Sequence, residues 1–164
     1  MGMTDTDLAR VEAAIDRLLA EHPPTGCSDR DFRGHRYDAG LAWVHFPEGH
    51  GGLGVNPKLQ KVVNERIYAE GAPNPMFRNP IGHGMCGPTV VAWGSEEQKQ
   101  EWLPRMAAGD AIGCFGLTES DAGSNPSQMR TNAKKDGDDW ILNGSKMWIT
   151  NGNIASVAIV WGHT

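Results

Sequence analysis

Cysteine, net positive charge and long apolar runs are all scarce in this 164-residue sequence. The three cysteines form neither a CxxC pair nor a Cys/His cluster, which argues against a disulfide framework or a zinc site. The formal net charge is −5, whereas a nucleic-acid-binding chain usually carries a basic stripe. No segment approaches the roughly 20 apolar residues that cross a bilayer, and residues 1–20 lack the apolar core of a signal peptide. We therefore expect a cytoplasmic protein with no metal site, no nucleic-acid partner and no membrane span.

The first two thirds of the sequence favour helices. Residues 8–19 carry apolar side chains at helical spacing, with Thr4 or Asp5 available as the N-cap. Ser95 and Gln98 have the spacing of a capping box, which predicts the start of another helix. Further helices are predicted over residues 29–39, 58–70, 81–93 and 95–107.

After Gly109 the pattern changes to short apolar segments separated by polar turns. Asn143-Gly144 between two such segments is typical of a tight hairpin. Strands are predicted over residues 111–118, 129–134, 140–142, 145–150 and 155–161. The predicted fold class is therefore α+β, with an all-helical domain over residues 1–110. A partial, truncated, antiparallel and barrel-like β-domain follows over residues 111–164.

Two sequence motifs lie in this β-region. The first motif, Cys114–Ser124, contains Cys-Phe-Gly-Leu-Thr-Glu followed by Asp-Ala-Gly-Ser, and the second motif, Leu142–Gly152, is Leu-Asn-Gly-Ser-Lys-Met-Trp-Ile-Thr-Asn-Gly. In composition and mutual spacing they resemble the flavin-facing signatures of the acyl-CoA dehydrogenase family. Residues 46–54 and 94–109 resemble the early loop of that family and the last helix before its β-domain. The resemblance covers roughly residues 29–164.

The resemblance implies a flavoenzyme in which FAD lies between the β-domain and a C-terminal helical bundle. The reaction would introduce a trans double bond at C2–C3 of an acyl-CoA thioester. An electron-transferring flavoprotein would accept the electrons, and the complete enzyme would be a homo-oligomer, either a dimer or a tetramer.

The resemblance also assigns roles to individual residues. Thr118 matches a position that hydrogen-bonds the pyrimidine edge of the flavin, and Ser124 matches one that contacts both the FAD pyrophosphate and the acyl-CoA. Trp148 and Thr150 are two apart in a predicted strand, so they would face the same side of the ring. The cofactor-binding residues are predicted to be Phe115, Gly116, Leu117, Thr118, Gly123, Ser124, Trp148, Ile149 and Thr150.

No residue of this sequence is assigned as the catalytic base. In the family that base is a glutamate, which usually lies in the C-terminal bundle. We therefore expect the chain to be a fragment of a longer enzyme, inactive by itself. An unfinished sheet leaves strand edges unpaired and apolar surface uncovered, so we also expect the isolated chain to bind FAD poorly and to aggregate.

Three functions remain open at this point. The first is acyl-CoA dehydrogenation by the complete enzyme, of any acyl chain length or subfamily. The second is a flavin oxidase or flavin monooxygenase of the same fold. The third is a non-catalytic interaction module that retains only the helical domain and part of the sheet.

Overall fold

The computed structural model describes residues 4–164, so the first three residues of the predicted helical domain lie outside the described range. Each helix predicted from the sequence is present. The α-helices of the described residues are α1 (Asp5–Glu21), α2 (Asp29–Asp38), α3 (Gln60–Ala69), α4 (Gly87–Trp93) and α5 (Glu96–Ala108). A π-helical segment, Gly82–Cys86, leads directly into α4.

The helix ends follow from local chemistry. The Thr4 side chain caps α1, as predicted. Ser95 and Gln98 form a complete capping box at the start of α5. Gly109 ends α5 in the left-handed conformation, with φ at 86°, which glycine adopts at no steric cost. Pro104 lies inside α5 without ending it.

Two apolar cores hold the helices together. One contains Val11 of α1, Phe32 of α2 and Val63 of α3, all completely buried. The other joins α4 and α5 to Trp43. Most of the buried apolar residues lie before Gly109, in the helical half of the molecule (residues 4–110). This half therefore supplies most of the hydrophobic stabilisation of the described chain.

The β-half contains β1 (Gly113–Gly116), β2 (Asn132–Asp136), β3 (Asp139–Asn143) and β4 (Val157–Val160). In the described residues these strands form two two-stranded sheets. β2 and β3 pair antiparallel, whereas β1 and β4 pair parallel with Gly113 opposite Val157. A single parallel bridge between Asn132 and His163 connects the start of β2 to the chain that follows β4.

The α+β class is confirmed, but the wholly antiparallel arrangement predicted for the strands is wrong. β1 and β4 run in the same direction because a long crossover separates them, which includes both β2 and β3. Parallel pairing requires a crossover of about a dozen residues or more, and this chain has one.

The hairpin predicted at Asn143-Gly144 is also wrong. The chain reverses instead around Gly137, which has a φ of 62°. Gly144 has a φ of 150° and packs on Thr131, where a Cβ atom would lie 2.7 Å from the Thr131 Cα. Residues 145–150, predicted to be a strand, have no strand structure. Contacts made by this segment with distant residues therefore override its local hairpin preference.

Asn79 joins the helical half to β1. Its side chain is 1% exposed, and its Oδ1 accepts hydrogen bonds from the Gly82 and Gly113 amides at 3.1 and 3.0 Å. Its Nδ2 donates to the Ala111 carbonyl at 3.0 Å and to the Met106 carbonyl at 3.4 Å. One buried amide thus satisfies groups from α5, the π-helical segment and β1.

Close backbone approach makes glycine necessary where β1 begins. A Cβ atom on Gly113 would lie 2.8 Å from both the Cys86 Sγ and the Gly82 Cα. β1 therefore rests directly on the π-helical segment, and this contact fixes the position of the first motif relative to the helices.

Replacing Asn79 by aspartate tests this connection. We expect Asn79→Asp to lower the free energy of unfolding by at least about 2 kcal/mol, because a carboxylate oxygen would face two carbonyl oxygens in a buried site. Urea unfolding measures the change. Asn74→Asp is the matched control, because the Asn74 side chain only accepts a hydrogen bond, from the Met76 amide. Equal stability of the two variants would contradict the connection.

Candidate functional site

The two sequence motifs meet at the carboxylate of Glu119. Lys146 of the second motif places its Nζ 2.7 Å from the Glu119 Oε1 and 3.1 Å from the Leu117 carbonyl oxygen. The side chains of Glu119 and Lys146 are 7% and 11% exposed, so this ion pair is largely shielded from water. A shielded pair is screened by salt much less than a surface pair.

Backbone amides complete the surroundings of this carboxylate. The Arg130 amide donates to Oε2 at 2.6 Å, and the Thr131 amide donates to Oε1 at 3.0 Å. The Thr131 hydroxyl also donates to Oε1. Together the Arg130 amide, Lys146 and Thr131 hold the pKa of Glu119 far below its usual range. Glu119 is therefore ionised at neutral pH and forms a charged joint between three separate chain segments.

A backbone contact reinforces this joint. The Met147 amide donates to the Thr118 carbonyl at 2.9 Å. Gly116 packs beside the Lys146 side chain, since a Cβ atom on Gly116 would be in ordinary van der Waals contact with the Lys146 Cγ at 3.5 Å. The start of the second motif is thus held beside the C-terminal end of β1.

An apolar cleft of about 460 Å³ is lined by residues of β1 and of the chain that directly follows β1 and β4. Phe115 and Leu117, two apart along the chain, both line it, as strand alternation requires. Trp161 faces Phe115 with the ring centroids 6.0 Å apart. The remaining lining residues are Pro126, Ser127, Met129, Gly162 and His163.

Of the predicted residues of the first motif, Phe115 and Leu117 line this cleft. Thr118 is half-buried directly beyond β1, and Gly123 and Ser124 lie in an exposed loop. Within residues 4–164, the Thr118 amide and hydroxyl donate no hydrogen bond, and neither do the amides of Gly123 and Ser124. These donors are available to a ligand.

The later residues of the second motif do not line the cleft. Trp148 is 85% exposed and has a φ of 59°, and Thr150 is also exposed. Ile149 is half-buried, and its carbonyl accepts from the Gly152 amide in a turn. The strand alternation that placed Trp148 and Thr150 on one face therefore does not apply, because Lys146 and Met147 are bound to the first motif instead of to a neighbouring strand.

Sequence reasoning missed Trp161, Met129 and His163 as lining residues of the cleft. Trp161 lies two residues after Ile159 at the end of the last predicted strand, so alternation along that strand was the available indication. Met129 and His163 had no such indication. They are brought together by a hydrogen-bond contact between the His163 Nε2 and the Met129 carbonyl at 2.9 Å.

Within residues 4–164 the His, Cys, Asp and Glu side chains form no cluster of three or more that could hold a metal ion. None of the helices described there is both long enough and apolar enough to cross a membrane.

Comparison with known families matches nearly the whole chain. Residues 6–110 match the family model described as the acyl-CoA dehydrogenase N-terminal domain. Residues 114–163, which contain both motifs, match the model described as the acyl-CoA dehydrogenase middle domain.

Individual proteins show the same likeness. The chain is 42% identical over 121 residues to the pig mitochondrial long-chain specific acyl-CoA dehydrogenase, covering 74% of this chain and 28% of that enzyme. It is 41% identical over 152 residues to the probable acyl-CoA dehydrogenase fadE25 of Mycobacterium leprae, covering 88% of this chain and 38% of that protein. The chain also resembles the crystal structure of a glutaryl-CoA dehydrogenase from Mycobacterium smegmatis in complex with FADH2, with a TM-score of 0.54 and 36% identity. This match covers 98% of the present chain and 43% of that chain. The chain thus spans less than half the length of these proteins.

Replacing Glu119 by glutamine tests the charged joint through its pH dependence. A carboxyl group whose pKa is lowered on folding stabilises the protein fully above its unfolded pKa, and this stability is lost as the pH falls. We therefore expect Glu119→Gln to lower the thermal unfolding midpoint by several degrees at neutral pH. The gap to the unmodified protein should narrow below about pH 4, the region of an ordinary glutamate pKa.

The control for this experiment is Glu12→Gln, which removes an exposed carboxylate from α1. It corrects for the loss of one surface charge, since exposed charges contribute little to stability. A constant difference between Glu119→Gln and the unmodified protein at every pH would contradict the charged joint.

Proposed function

Since the chain belongs to the acyl-CoA dehydrogenase family, we propose that it forms one wall of an enzyme that carries out FAD-dependent α,β-dehydrogenation of acyl-CoA thioesters. The observation that carries the proposal is the Glu119–Lys146 joint, which holds both motifs beside an apolar cleft. The homologues named acyl-CoA dehydrogenases support the general class of oxidoreductase.

The residues of the cleft fit a flavin. The isoalloxazine system is flat and apolar on its faces and polar along one edge, so it needs an apolar wall and fixed donors. Phe115 and Leu117 supply the wall, and the free amide and hydroxyl of Thr118 supply donors at its end. The volume of about 460 Å³ lies within the usual range for cofactor and ligand pockets.

FAD, when bound, would supply the hydride acceptor of the reaction. Thr118 would donate a hydrogen bond to the polar edge of the ring, and the backbone of Gly116 would allow close approach. Phe115 and Leu117 would exclude water from one face of the ring. The free amides of Gly123 and Ser124 would bind the pyrophosphate, and Ser124 would also contact the acyl-CoA, because exposed amides in a glycine-containing turn favour anions.

The proposal includes Trp148, Ile149 and Thr150 as further cofactor contacts. Trp148 is 85% exposed, and a flat aromatic ligand lying on it would cover this apolar surface. Lys146 and Met147 hold this segment within a few residues of Thr118.

The remaining parts of the proposal concern the whole protein. Its catalytic base would come from a part of the enzyme outside residues 4–164. Its electron acceptor would be an electron-transferring flavoprotein, its assembly a homo-oligomer and its compartment the cytoplasm.

The reaction is tested in a protein that combines this chain with the C-terminal part of the fold. That part would come from one of the relatives described above, joined after Thr164. We expect anaerobic addition of an acyl-CoA to bleach the oxidised flavin, and an electron-transferring flavoprotein to restore the colour. Recolouring by oxygen alone, with formation of hydrogen peroxide, would instead indicate an oxidase. A protein that never retains flavin would favour the interaction module.

Thr118 is tested separately, in the same combined protein. We expect Thr118→Val to weaken FAD binding about tenfold, because one hydrogen bond to the reducible ring is lost, and Thr118→Ser to restore it. Fluorescence titration of the flavin gives the dissociation constant. Thr25→Val is the matched control, because Thr25 is exposed in the helical half. Equal FAD affinity for Thr118→Val and the unmodified protein would remove Thr118 from the site.

A further inference from the structure

A second cavity, of about 140 Å³, lies in the helical half among α2, α3 and the π-helical segment. Its polar lining includes Arg36, Asn64, Tyr68 and His83, and the exposed residue His45 also lines it. One water molecule needs only about 10–15 Å³ of such space, so a ligand of several atoms fits. None of these residues belongs to the proposed flavin wall.

Arg36 is a buried cation without a carboxylate partner. It is 4% exposed, and its Nε and Nη2 donate to the Leu41 carbonyl at 3.0 Å and to the Asn64 Oδ1 at 2.8 Å. Its Nη1 is buried without a hydrogen-bond partner. Across residues 4–164 no salt bridge to Arg36 is formed. Burial lowers the pKa of the guanidinium, and the Tyr68 oxygen, which lies close enough to accept a hydrogen bond from it, opposes this effect.

His83 contributes a second unpartnered group to the same cavity. It is 8% exposed, and its Nε2 is buried without a partner. Its ring lies 4.8 Å from that of Trp43, and the Trp43 indole donates to the His83 carbonyl at 2.9 Å. Burial, followed by the charges of Arg36 and Arg33, lowers the pKa of His83 to about 4. The imidazole is therefore neutral near pH 7, and an anion in the cavity would select the tautomer that carries the proton on Nε2 over the one that donates to the Met106 carbonyl.

The surroundings favour an anion over water alone. Buried polar groups are normally hydrogen-bonded, and a buried charge is normally paired. Water can satisfy the two unpartnered nitrogens but cannot neutralise the guanidinium. The Asn64 Oδ1 already accepts from Arg36, which leaves the Asn64 amide group as a third donor. A guanidinium next to neutral donors matches the planar oxygen pair of a carboxylate.

We propose that this cavity binds a small carboxylate anion, held by the Arg36 Nη1, the His83 Nε2 and the Asn64 amide. The carboxylate comes either from a free small acid or from the end of a longer acid that enters past His45. The proposal stands independently of the flavin site, because the two sites share no residue.

Thermal unfolding in different sodium salts tests the site. A ligand that binds only the folded state raises the unfolding midpoint as its concentration increases. At a fixed ionic strength of about 0.15 M, we expect formate to raise the midpoint by several degrees relative to chloride. Succinate distinguishes a free small acid from the end of a longer acid as the source of the carboxylate. If succinate binds more tightly than formate, the ligand is the end of a longer acid. If succinate binds more weakly than formate, the ligand is a free small acid.

Two variants locate the effect at this cavity. Arg36→Lys keeps the charge but loses the planar donor pair, and His83→Phe keeps the ring beside Trp43 but removes the Nε2. We expect each to weaken formate binding about tenfold, measured by isothermal titration. Arg17→Gln, which removes an exposed cation from α1, should bind formate like the unmodified protein.

Circular dichroism is used to check that each variant is folded before it is titrated. If Arg36→Lys does not fold, His83→Phe still tests the site. Stabilisation by chloride equal to that by formate would overturn the proposal. So would formate binding unchanged in a folded Arg36→Lys or His83→Phe protein, because the anion would then lie elsewhere.

Discussion

The β-half of this protein depends on the carboxylate of Glu119. Few apolar side chains are buried after Gly109, so hydrophobic packing contributes little there. The carboxylate instead binds Lys146, Thr131 and the Arg130 amide, which come from separate segments of the chain. A charge that is satisfied by fixed donors on several sides holds these segments in one arrangement, whereas a missing donor would leave a costly unpaired group.

Asn79 performs the corresponding task between the two halves. Its buried amide binds both the π-helical segment and the start of β1, and Gly113 allows the strand to lie against that segment. The well-packed helices therefore serve as a rigid support for β1. The cleft lined by Phe115 derives its position from that support, because β1 carries one of its walls.

The distribution of exposed apolar groups agrees with a role as one wall of a larger site. The exposed large apolar side chains of the β-half include Trp140, Trp148 and Trp161, whereas the helical half buries most of its own. Exposed apolar surface of this kind is typical of a binding face. The chain spans less than half the length of the relatives described above. The carboxylate site proposed at Arg36 lies apart from this face, within the helical core.

The sequence by itself determined the helices, their caps at Thr4 and Ser95, and the family, because helical periodicity, capping and short motifs are local properties. Phe115 and Leu117, which the sequence predicts as cofactor-binding residues, line the cleft. Only the tertiary structure decided the parallel pairing of β1 with β4 and the course of residues 145–150. Asn143-Gly144 favours a hairpin locally, but the attraction of Lys146 to a buried carboxylate distant in sequence outweighs that preference. An ion pair between residues that are distant in sequence is seen only in the folded structure. The same holds for Arg36, whose Nη1 is buried there without a hydrogen-bond partner.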